Sequence, residues 1–92
     1  MQLKNYMEDV VVEVCDAYLA KHSELCRCER CRLDIIALAL ASLKGLYATS
    51  PEGEIFAKIA RDDRQIRADA LMAVIKASEL VAAKPRHKGL RQ

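Results

Sequence analysis

The 92-residue chain lacks several things that would have assigned it a function at once. It has no apolar run long enough to span a bilayer. The longest, Ile35 to Leu40, is about a third of the roughly 20 residues needed. It has no Ser/His/Asp set, no glycine-rich phosphate loop and no paired-carboxylate site, and it holds only two histidines, His22 and His87. That inventory argues against an enzyme. Its net charge of +2 is too small to imply nucleic-acid binding from bulk electrostatics. It has no internal repeat, low-complexity segment or linker, so residues 1–92 read as one small domain. Its opening stretch carries Glu8 and Asp9 where a signal peptide would be apolar. The expectation is therefore a cytoplasmic protein with no membrane role. A chain this short buries a thin core and gains from a staple or a partner subunit.

What the chain does have is cysteine in one place. Residues 26–31 read "CRCERC", so Cys26, Cys28 and Cys31 fall within six positions. Disulfides are rare in a reducing compartment, so clustered thiols favour a metal over cystine. A closed zinc site needs four ligands, and zinc binds thiolate readily. Two residues compete for the fourth place. Cys15 lies in the first helical pattern, about 10 Å of helix rise before His22, and closes a Cys₄ set if the loop folds back. His22 itself would give Cys₃His. A redox role for the thiols is a third reading, since flanking arginines lower thiol pKa.

The rest of the chain is mostly helical in pattern. Apolar residues recur every three to four positions over residues 3–22, about 32–44 and about 62–83. Asp62 or Asp63 can cap the last helix and Pro85 ends it. Tyr6, Tyr18 and Phe56 read as core. Residues 46–59, "LYATSPEGEIFAKI", are ambiguous. They can form a strand or hairpin around Ser50–Gly53, or a strand followed by a helix capped by Ser50 with Pro51 at its first position. Gly53 tips the reading to a strand or hairpin. The fold class is mostly α, α+β at most: a three- to four-helix, zinc-stapled domain. Residues 88–92 are expected to be a flexible tail.

The pieces "NYMEDVVVEV" (5–14), "CRCERCRLDIIALALASL" (26–43), "LYATSPEGEIFAK" (46–58) and "KPRH" (84–87) occur in this order. Together they resemble the late competence development protein ComFB family. The resemblance implies a small helical regulatory domain that forms homodimers, with a structural zinc on Cys26, Cys28 and Cys31. It also implies a receptor for a cyclic dinucleotide, notably cyclic di-GMP. Such a ligand needs guanidinium groups for phosphate, a ring or guanidinium plane to stack on guanine, and a carboxylate for the base edge. The candidates are Arg27, Arg30, Arg32 and Asp34 around the cysteine loop, and Arg61, Arg64, Arg67 and Asp69 at the last helix. Lys44 and the ring of Tyr47 add to them, as do Arg86 and His87 from "KPRH". A zinc-stapled module that binds DNA or a protein of the competence or transcription machinery is the alternative.

Overall fold

The structure, a computed structural model, describes residues 3–85. A two-residue strand, β1 (Lys4–Asn5), leads into helix α1 (Met7–Lys21). Helix α2 (Glu29–Ala41) follows, then strand β2 (Tyr47–Ala48), helix α3 (Pro51–Ala60) and helix α4 (Arg64–Ala83). Helices α1, α2 and α4 pack on one another, whereas α3 rests on β2 at the side. Arg86, His87 and the expected flexible tail lie outside the described residues.

The bundle closes around side chains with little bulk. Val10, Val11 and Cys15 of α1 meet Cys31, Ile35 and Ala39 of α2 and Ala70, Val74, Ala77 and Val81 of α4, all buried. Alanine at three of these contacts lets the helix axes approach closely without large rings. Each buried valine or isoleucine contributes about 1.5–3 kcal/mol relative to exposure.

The sequence pattern places the helices but misplaces their ends. Helix α2 starts three residues earlier than expected, because Cys28 already caps it. Helix α1 starts later, because Lys4 and Asn5 pair antiparallel with Ala48 and Tyr47. The Asn5 side chain fixes that junction: its Oδ1 accepts from the Met7 N–H at 3.1 Å and the Leu46 N–H at 2.8 Å.

The expected hairpin over 46–59 is half right. Residues 47–48 are a strand, but their partner is β1, and residues 51–60 are helical. Ser50 decides this, because its Oγ accepts from the Gly53 N–H at 3.0 Å with Pro51 in the first turn. A Cβ at Gly53 would sit 3.2 Å from that Oγ, so the glycine serves the cap rather than breaking the helix. Of the three rings read as core, Tyr6 is buried and Tyr18 packs against the core from its edge. Phe56 is 70% exposed, since only Ala57 of α3 faces inward.

Candidate metal and ligand site

The C-x-C-x-x-C spacing is the spacing of a helix start. Cys28 is extended (ψ 161°) and its Sγ accepts from the Cys31 N–H at 3.4 Å, the contact a serine oxygen makes in an ordinary cap. Two residues between Cys28 and Cys31 therefore put both sulfurs at the first turn of α2. Cys26, one residue before the cap's neighbour, completes a triangle. The three sulfurs lie within 4.8 Å of one another. They could hold a metal ion, with three of zinc's four positions supplied by soft ligands. None of the four cysteines is in a disulfide.

Position shapes the chemistry of each thiol. The Cys31 N–H, followed by the neighbouring thiols, holds Cys28 below the ordinary thiol range. Burial, then the proximity of Cys26 and Cys28, pushes Cys31 up to about 12. Three thiolates this close repel one another, and a bound cation would relieve that repulsion.

Cys15 and His22 stand outside this group. Among the described residues the metal-capable cluster is Cys26, Cys28 and Cys31. The loop brings the start of α2 back beside Asp16, which Arg32 grips, but the Cys15 sulfur does not join the cluster. The loop passes through the turn closed by Leu25 N–H and His22 C=O (3.0 Å) directly into the α2 cap. Cys15 is fully buried in the core, where desolvation pushes its thiol up to about 11. The His22 ring lies 4.1 Å from that of Tyr18, and its Nδ1 is 3.2 Å from Glu24 Oε2.

The arginines separate by what already holds them. Arg32 grips Asp16 of α1 through Nε and Nη2, at 2.8 and 3.2 Å. Arg67 is committed to Glu13 (2.8 Å) and to the Arg61 carbonyl (3.0 Å), and Arg61 to Asp9 (3.4 Å). Asp69 accepts from Gln65. Arg30 approaches Asp34 only at 3.8 Å. Arg27 is exposed and borders a cleft of 430 Å³ between the cysteine loop and the end of α4. Ser23, Glu24, Ser78 and Pro85 share its walls.

The two expected clusters do not meet within one chain. Arg64 begins α4, and Val81, at the cleft, is about 25 Å of helix rise away. Lys44 and Tyr47 follow the C-terminus of α2, about 20 Å from Cys28 at its N-terminus. The Tyr47 ring lies over Gly45, where a Cβ would clash with it.

A second cleft, of 500 Å³, opens between α1 and α4. Glu13, Tyr18, Lys21, His22 and Arg67 border it. In sequence, Tyr18 reads as core, His22 as an alternative fourth metal ligand and Arg67 as a candidate phosphate contact. Tyr18 and His22 at i and i+4 were the available signal, since that spacing brings two rings onto one helix face.

A family model described as late competence development protein ComFB matches residues 4–85. This chain belongs to the ComFB family. Its fold is similar to the structure of the late competence protein ComFB from Bacillus subtilis, with a TM-score of 0.75 and 25% sequence identity. That match covers 94% of this chain and 97% of the other. No curated protein matches the chain. The ComFB match spans the bundle, the cysteine triangle and the α3 side unit alike. No helix among the described residues is long and apolar enough to cross a membrane.

Proposed function

We propose that this ComFB-family protein is a non-enzymatic, cytoplasmic receptor for a cyclic dinucleotide, with cyclic di-GMP the first ligand to test, stapled by a structural zinc. One observation carries the reading. Arg27 sits beside a 430 Å³ cleft, on a loop whose shape the cysteine triangle fixes. A cleft of that size falls in the range used for small ligands, and a stapled loop preorganises its cation for phosphate. Glu24, on the same wall, is held below the ordinary carboxylate range by backbone N–H and His22 contacts, so it can accept from a base edge. Cys26, Cys28 and Cys31 would hold the zinc, which supplies charge neutralisation and rigidity rather than catalysis.

The reading includes a homodimer. Leu33, Leu38 and Leu80 are 48%, 43% and 64% exposed, on the two helices that border a 290 Å³ hollow. A second copy would remove such surface from water.

Calorimetric titration of the zinc-loaded full chain, with mass followed by light scattering, tests this. Micromolar or tighter binding is expected, and Arg27→Ala should weaken it about tenfold or more, the scale of a charge-assisted contact. No heat and no thermal shift with cyclic dinucleotides would overturn it. A second reading, a zinc-stapled protein-binding module of the competence machinery, draws on α3, which turns Ile55, Phe56 and Ile59 outward.

A further inference from the structure

We infer that α3 is the docking face for one amphipathic helix of a partner protein, a helix that carries lysine or arginine at both ends of its apolar stripe. This partner belongs to the protein-binding reading, on which the inference rests, and stands apart from the cyclic dinucleotide.

Helix α3 is amphipathic the wrong way round. A helix held to its domain by burial turns its large apolar side chains inward. Here Ala57 is the buried residue, whereas Ile55, Phe56 and Ile59 are 60%, 70% and 65% exposed. Their spacing, i, i+1 and i+4, puts the three on one face. Polar bonds hold the opposite face instead. The Tyr6 hydroxyl donates to Glu54 Oε2 at 3.0 Å, Ser50 caps the start, and Arg61 at the C-cap donates to Asp9 at 3.4 Å. The apolar face is therefore carried on a helix tied at both ends. A partner meets it already formed, with little ordering cost.

Charge at the ends of the stripe selects the occupant. Glu52 precedes it and Asp62 follows it, and both are exposed, the Asp62 side chain by 82%. Among the described residues Glu52 forms no salt bridge, and the Asp62 carboxylate approaches only Arg67 Nη1, at 4.0 Å. Lys58 is exposed at one edge of the stripe. A second copy of this chain fits poorly. Two α3 helices paired antiparallel set Glu52 of each against Asp62 of the other, and a parallel pair sets Glu52 against Glu52. An anionic lipid surface, which attracts lysine and arginine, meets the same two carboxylates. A helix with a cation at each end meets both acids. Its apolar residues at i and i+3 or i+4 cover Ile55, Phe56 and Ile59. The homodimer reading draws on Leu33, Leu38 and Leu80 of α2 and α4, so it leaves α3 open to such a partner.

The test titrates the full, zinc-loaded chain with two synthetic helical peptides that share one leucine face, one ended by lysines and the other by glutamates. Backbone NMR signals of residues 52–60 should move with the lysine-ended peptide, which should bind about tenfold or more tightly than the other. Phe56→Ser should weaken that binding about tenfold or more, the scale of an aromatic anchor. It should leave the mass in solution and the affinity for cyclic di-GMP unchanged. Glu52→Lys with Asp62→Lys should reverse the preference between the peptides. Signals of residues 52–60 that stay still with both peptides at millimolar concentration would overturn the inference, whether or not cyclic di-GMP binds. Equal affinity for the two peptides would overturn the charge-selected partner and leave α3 as an apolar protein contact. Binding to phosphatidylglycerol vesicles that Phe56→Ser abolishes, or a fall in mass with Phe56→Ser, would replace the partner helix by a membrane or by a second copy. Preference for the lysine-ended peptide in a chain that ignores cyclic dinucleotides would support the docking face and remove only the receptor reading.

Discussion

Arg32 and Asp16 are joined by two hydrogen bonds, Nε to Oδ1 at 2.8 Å and Nη2 to Oδ2 at 3.2 Å, across the α1/α2 seam. An arginine expected to meet phosphate is therefore a structural clasp, placed immediately after the last cysteine of the triangle. The pair keeps the start of α2 against α1 and so indirectly sets the position of the loop that carries Arg27.

Arg32→Ala should lower stability modestly. The Asp16 side chain is half exposed, so solvent screens the pair and its loss should cost at most about 1 kcal/mol. That corresponds to a melting shift of roughly 4–8 °C for a domain of this size. The pH dependence has a definite sign. The Arg32 fork holds the Asp16 carboxyl below its ordinary value of 3.8. Its contribution is therefore complete above that value and fades as the pH falls through the lowered one. Melting curves of wild type and variant should differ at pH 6 and converge in strong acid. Ligand affinity should change much less than with Arg27→Ala.

Thiol reactivity should rank by position once metal is removed. Cys28, held low by the Cys31 N–H, should alkylate first at pH 7. Cys15 and Cys31, buried and raised to about 11 and about 12, should react last. Mass spectrometry of iodoacetamide-treated protein reads this order directly. Zinc loading should protect Cys26, Cys28 and Cys31 and raise the melting temperature, since a metal bound only by the folded chain stabilises it. Equal labelling with and without zinc at these three would contradict the metal site.

Ser50→Ala should loosen α3 without unfolding the bundle. The lost bond to the Gly53 N–H is worth about 1 kcal/mol. Because α3 contributes only Ala57 to buried apolar surface, that loss should appear as local opening. Amide exchange within residues 53–60 should accelerate about fivefold, while exchange at Val10 and Val74 should hold. Uniform acceleration across the chain would show that α3 and the bundle unfold as one unit.

The sequence alone determined what depends on neighbours along the chain. Apolar spacing located three of the four helices, and Asp63 caps the last as its type suggests, accepting from the N–H groups of Gln65 and Ile66. Even the cysteine triangle was legible, because its spacing is that of a capped helix start, a local geometry. Helix α3 was within reach too: Ser50 and Pro51 carried the signal, but Gly53 was weighed against the helix without the capping bond that explains it. The tertiary structure decided everything that depends on packing between distant segments. Cys15 and Cys31 are both buried, yet only Cys31 joins the triangle, because it shares the capped start of α2 with Cys28. Arg32 and Arg67 look like free cations in sequence, and carboxylates 16 and 54 positions away hold them. A side chain's type and local spacing are written in the chain, but its partner across the fold depends on how the helices pack.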